Sequence, residues 1–223
     1  MANRFKNKED FYNYILYDTS IPKGKNTKTY DFFKKNYKKL FFDESIYSGN
    51  YGKYVKSVYE GTTHENLNGQ VFELIFECLL IQLGISPFFC QTEMTFISDI
   101  IYDIVLFEKI IDSSKTGYNV KPICISLKTS SRERYKQADL ESMAFKQVHK
   151  NAECYLVLAE SEKNKKIYEI INEKIGNKST FGLDRAYDAF NDPKFNDFIK
   201  SLISKEYDHP KVFPVYASGS EIK

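Results

Sequence analysis

The sequence predicts an α/β fold, a mixed central β-sheet flanked by helices. Three observations predict it. Residues 68–84 repeat apolar side chains with a helical period. Two apolar strands, Ile100–Glu108 and Pro122–Lys128, are joined by a short turn and so pair antiparallel. A further apolar strand, Cys154–Ala159, follows a helix and implies a parallel crossover.

Taken in order, residues 1–60 form a Lys- and aromatic-rich N-terminal part expected to be helical, with helices over 8–17 and 30–42 and a loop at Ile21-Pro22-Lys23-Gly24-Lys25. Its interleaved lysines and aromatics (Tyr30, Phe32, Lys34, Lys35, Tyr37, Lys38) fit either an amphipathic helix with a solvated basic face or a surface that contacts DNA or a partner subunit. The 68–84 helix places Val71, Leu74, Ile75, Cys78, Leu79 and Leu83 on one stripe and stops at Gly84. After the segment 95–98, a strand is expected at 100–108, a turn at 112–120, and a strand at 122–128. The helix at 135–150 is expected to face Leu140, Met143, Ala144 and Val148 inward. Beyond the 154–159 strand, helices are expected at 165–175, 183–190 and 194–204, with a break at Asp192-Pro193 and an irregular tail.

The chain has 223 residues, enough for a single domain with one sizeable core. No apolar run reaches the roughly 18 residues of a membrane span, and no signal peptide is visible. The four cysteines are widely spaced in apolar segments, which fits buried free thiols better than a zinc site. A net charge of +2 neither proposes nor excludes a nucleic-acid partner.

The chemistry concentrates between residues 103 and 141. Lys128 ends an apolar strand, where a lone ammonium is disfavoured unless an anion lies beside it. Antiparallel pairing brings it next to Asp103, and the carboxylates Glu73 and Glu141 lie on flanking helices. Carboxylates that hold a divalent cation, together with a positive charge facing a phosphate, are what phosphodiester hydrolysis requires. Four residues beyond the lysine, Arg132-Glu133-Arg134 sets two guanidinium forks around one acceptor, a set suited to guanine and cytosine edges in a major groove. Bland alternatives exist for each: a solvated charge cluster for 132–134, an outward helix position for Glu141, a strand-edge cap for Asp103. Asp99 rivals Asp103 and Glu77 rivals Glu73. His64, His149 and His209 cluster with no acid or nucleophile, His149 being expected at an exposed helix end. Lys128-Thr129-Ser130 lacks the glycine-rich turn of a phosphate loop.

Asp103, Ser126-x-Lys128 and the helical Gly69-x-x-Phe72-Glu73 resemble the PD-(D/E)XK nucleases over residues 65–160. Ser126 stands where the family usually has an acid. In the CCGG or EcoRII-like branch of type II restriction endonucleases that acid has moved to the next helix, about thirteen residues past the lysine, which is the place of Glu141. That branch also carries an Arg-acid-Arg element at the offset of residues 132–134. Tyr102 replaces the proline of the family name.

The resemblance implies a restriction-endonuclease-like fold with a catalytic core at 65–160. Catalysis would fall to Glu73, Asp103, Lys128 and Glu141, with Mg²⁺ (one or two ions per site) on Asp103, Glu141 and Glu73. Arg132, Glu133 and Arg134 would read a short palindrome containing CC/GG in double-stranded DNA, cut to leave 5′-phosphate ends. A homodimer or higher oligomer, a bacterial cytoplasmic setting and a cognate cytosine methyltransferase are further implications. A PD-(D/E)XK nuclease of repair or recombination, and a DNA-binding protein that kept the fold but lost cleavage, are the alternatives.

Overall fold

Long β-branched and aromatic runs in the middle of the chain assemble a seven-stranded sheet of order β5-β4-β3-β2-β1-β6, with β7 also pairing with β1. The computed structural model describes residues 32, 35–36, 39–40, 43–60, 68–94, 97–111, 118–130, 134–160, 164, 166–177, 179–208, 215–216 and 220–222. The strands are β1 (Phe88–Met94), β2 (Ile97–Ile111), β3 (Tyr118–Lys128), β4 (Glu153–Leu158), β5 (Arg185–Asp188), β6 (Val215–Tyr216) and β7 (Ser220–Ile222). The helices are α1 (Glu44–Tyr47), α2 (Tyr51–Tyr59), α3 (Asn68–Gln82), α4 (Arg134–Val148), α5 (Ile167–Lys174) and α6 (Phe195–Ile203).

The sheet is mixed, as predicted. β1, β2 and β3 are antiparallel neighbours, and β3, β4 and β5 are parallel. The β3–α4–β4 passage is the crossover that a parallel pair requires. Alternation along the strands feeds two faces. Ile104, Leu106, Ile123, Ile125 and Leu127 join α2, α3 and α6 in the main core. Val105, Phe107, Cys124 and Cys154 pack with Phe145 of α4 on the opposite face. All four cysteines are buried and free.

Several expectations need correction. Leu183–Phe190 holds a strand, not a helix: Ala186 and Tyr187 enter cores on opposite faces of the sheet, a period of two, and Arg185–Asp188 pairs with β4. Part of the tail is ordered into β6 and β7, which cover the β1 edge. Of the residues expected to face inward on α4, Ala144 and Val148 pack against the core and Leu140 and Met143 do not. Leu140 is 66% exposed and Met143 points largely outward, whereas Ala138, Asp139, Ser142 and Phe145 are buried. Close approach shapes one part of α4: a Cβ on Gly182 would lie 2.2 Å from the Asp139 carbonyl oxygen. Asp139 serves there by accepting from the backbone N–H groups of Phe181, Gly182 and Leu183. His149 is buried against the Phe145 ring, not exposed, and burial lowers its pKa. The expected helix at 8–17 and the loop at 21–25 lie outside the described residues, as do His64 and His209. Within 30–42 the described residues Phe32, Lys35, Asn36, Lys39 and Leu40 are helical.

Candidate active site

Three adjacent strands deliver the central side chains. The β2–β3 ladder ends at Ile104↔Ile125. One step further the Asp103 carboxylate takes the place of a backbone carbonyl: its Oδ2 accepts from the Leu127 N–H at 2.7 Å. The same oxygen accepts from Lys128 Nζ at 2.9 Å. Asp103 and Lys128, twenty-five positions apart in the chain, therefore form an ion pair whose side chains are only 9% and 14% exposed. Burial works against the lysine charge. Asp103, with Glu141 and Glu73 beyond it, outweighs that effect and holds the ammonium above its ordinary range.

The third strand contributes Gln91, which the sequence reading did not single out. Its amide donates to Asp103 Oδ1 at 3.2 Å and to Glu73 Oε2 at 3.0 Å, linking β2 to α3 through β1. Its backbone is left-handed, with φ of 48°, and it is the only such non-glycine among the described residues. That conformation costs a residue with a Cβ about 1–2 kcal/mol. The β1–β2 register is constant from Phe88↔Leu106 to Glu93↔Ile101, yet the Gln91–Asp103 step is missing from it. Across this step β2 changes phase. Ile104 faces the α3 side, while Tyr102, two residues away, packs with α4 and donates its hydroxyl to the Glu141 carbonyl oxygen. Asp103 stands where the strand turns over, which lets one carboxylate address groups from both faces. A short sequence pattern contains no signal for such a kink.

The helices bring further acids. Glu73 is half-buried on α3. Burial first, then Asp103 and Glu77, push its carboxyl up to about 8 against the opposing pull of Lys128. Glu77, one turn on, is raised to about 7 by burial, with Asp103 adding to the rise and a hydrogen bond with the Cys90 thiol opposing it. Glu141 on α4 is raised by burial despite Lys128 and despite the Gln137 amide, which donates to its Oε1 at 2.8 Å. Asp103, Glu73 and Glu141 thus act on one ammonium, with Glu77 beside Glu73 and Asp103. Burial first, and neighbouring acids after it, raise Glu73, Glu77 and Glu141, and a divalent cation is the kind of group that would let them ionise together. Among the described residues no three acidic, His or Cys side chains converge into one cation site. A hard cation that keeps several waters can be held by two carboxylates, so the donor set fits such an ion.

Of the other predicted residues, Arg134 opens α4 and is exposed. Arg132 and Glu133 lie outside the described residues, and so does the side chain of Asp99. Ser126, in the position the family gives to an acid, is buried in β3.

No family model and no curated protein matches the chain. Among solved structures, it is similar to the restriction endonuclease PspGI, solved as a complex with substrate DNA, at 16% identity and a TM-score of 0.37 over 69% of this chain and 74% of that one. No helix among the described residues is long and apolar enough to cross a membrane.

Proposed function

We propose that this protein is an endonuclease that hydrolyses phosphodiester bonds of double-stranded DNA. The observation that carries the reading is the Asp103–Lys128 pair at the parted ends of β2 and β3, with Glu73 and Glu141 brought to it from helices on opposite faces. Asp103 and Glu141 would hold Mg²⁺, with Glu73 as a further or water-mediated ligand. The cation would supply charge against the attacking and leaving oxygens of the phosphate. The residues of the chain then divide the remaining work. Lys128, kept charged by its neighbours, orients the attacking water and meets the developing charge of the phosphorane. An ammonium held this firmly is a poor base, so proton removal falls to a neighbouring carboxylate or to solvent. The products are a 5′-phosphate and a 3′-hydroxyl.

The finer reading is a type II restriction endonuclease of the CCGG or EcoRII-like branch. It is supported by Ser126 with Glu141 thirteen residues past Lys128, and by Arg132-Glu133-Arg134 leading into α4. Arg132 and Arg134 would donate to guanines and Glu133 would accept from cytosine, giving a palindrome that contains CC/GG. A homodimer on a palindromic target and a companion cytosine methyltransferase follow from that reading.

The test is to incubate the purified protein with unmethylated phage DNA and Mg²⁺ and sequence the ends. Discrete fragments sharing one CC/GG palindrome are expected. A smear would remove the recognition role of residues 132–134 and leave a nuclease of repair or recombination type. Intact DNA, in Mn²⁺ as well, would overturn the nuclease reading in favour of a non-cleaving DNA-binding protein.

A further inference from the structure

We infer that Gln91 is a positioning residue of this site, which fixes the separation of the Glu73 and Asp103 carboxylates by donating one amide to both. The inference rests on the nuclease reading and adds a residue that neither the sequence pattern nor the family resemblance supplies.

Three observations bear on it. The first is reach: the Gln91 nitrogen lies within hydrogen-bonding distance of Glu73 Oε2 and of Asp103 Oδ1, two acids on different elements that otherwise repel each other. A neutral double donor between them can hold both carboxyl groups and leave the second oxygen of each free of it. The second is conformation. The left-handed backbone sits at a strand residue with a Cβ, in a strand that pairs regularly on both sides of it. Such strain persists where the surrounding structure over-determines it, and it clusters at functional sites. The third is coupling. The skipped ladder step opposite Gln91 coincides with the phase change of β2 at Asp103, so one irregularity sets both the direction of the Asp103 carboxylate and the place of the amide that holds it. A residue serving the sheet alone would gain nothing from this conformation, because glycine would occupy it without strain.

The experiment compares wild type with Gln91→Gly and Gln91→Glu. Glycine relieves the backbone and removes the amide. Glutamate keeps the shape but replaces the donor with an acceptor. Thermal melting, binding of duplex DNA in EDTA and single-turnover cleavage in Mg²⁺ are measured for each. Gln91→Gly is expected to melt no lower than wild type and to bind duplex within about twofold. Cleavage by both variants should slow by about 100-fold, the loss associated with misplacing reacting groups by an ångström, and should appear in the single-turnover rate and not in duplex affinity. Cleavage by either variant within about twofold of wild type would overturn the role of Gln91. So would Gln91→Gly melting well below wild type, which would make Gln91 a staple of the sheet. Failure of the wild type to cut at all would instead defeat the nuclease reading.

Discussion

Replacing Lys128 by methionine removes one charge with little change in volume, and the structure sets what should follow. Lys128 Nζ is 2.9 Å from Asp103 Oδ2, and the two side chains are 14% and 9% exposed. Breaking an ion pair at this depth is expected to destabilise by about 3–5 kcal/mol, because the surviving charge is left without its partner. Asp103 retains two donors, the Leu127 N–H and the Gln91 amide, which places the expectation at the lower end, about 3 kcal/mol. For a chain of this size that is a fall of about 6–12 °C in melting temperature. The effect has a direction in pH. The Lys128 pKa is raised in the folded state, so its stabilisation is complete below the unfolded value of about 10.4 and fades as pH rises beyond it.

The assay is thermal or urea unfolding of wild type, Lys128→Met, Asp103→Asn and the double variant at pH 7, repeated for the first two above pH 10. The gap between wild type and Lys128→Met should narrow at the higher pH. The double-mutant cycle should return a coupling of about 1.5–3 kcal/mol between the two residues. If Lys128→Met equals wild type at pH 7 to within about 0.5 kcal/mol, or the cycle shows no coupling, the buried pair is not formed and the site assembled on it falls.

Glu73→Gln should abolish cleavage yet stabilise the fold in alkali. Folded Glu73 keeps its proton up to about pH 8 while the unfolded chain releases it near pH 4.3, so wild-type stability falls with pH between those values. Melting scans should show no gain for the variant near pH 4 and a gain of at most about 5 kcal/mol at pH 8; a loss at pH 8 would contradict the assignment. Arg134→Ala should leave stability within about 0.5 kcal/mol, since the residue is exposed and a cation suits the first turn of a helix poorly, while weakening specific duplex binding by about 1–3 kcal/mol in fluorescence anisotropy. Gly182→Ala would set a methyl group 2.2 Å from the Asp139 carbonyl oxygen and 2.5 Å from the Met143 nitrogen; both are backbone atoms, so a loss of about 3 kcal/mol is expected in urea unfolding.

The elements legible in the sequence were those whose side chains report one local rule. α3 shows its apolar repeat and a glycine stop, with Gly84 at φ of 71°. β3 and β4 are apolar runs whose connection dictates their parallel pairing. Asp103 and Lys128 could be set side by side because antiparallel pairing of β2 and β3 follows from a short turn. What escaped depends on contacts distant in sequence. Part of the buried face of α4 is chosen by the 181–183 backbone, whose N–H groups need Asp139 as acceptor. Arg185–Asp188 is extended because β4 offers it an open edge, a fact absent from its own four residues. Gln91 was missed for the same reason: a glutamine matters here because a backbone irregularity delivers it to two acids, and neither the irregularity nor the acids lie in its own segment.

The same features bear on whether the protein cuts DNA or merely binds it. A scaffold that only bound duplex would need its basic and base-reading surface, and nothing at the parted ends of β2 and β3. The structure nevertheless keeps a left-handed glutamine inside a strand and sets Glu73, Asp103 and Glu141 about a single lysine. Each of these lowers stability. Glycine would relax the strand, and a neutral side chain would avoid the burial and repulsion that drive Glu73 to about 8. Mutation removes such features readily when no activity depends on them, because stabilising replacements are easy to reach. The core built by α2, α3, α6 and the sheet is made of buried hydrophobic side chains and stands apart from Glu73, Asp103 and Glu141. A destabilised constellation held by an independent core is what a hydrolytic site requires and what a binding surface does not, and this favours cleavage over binding alone.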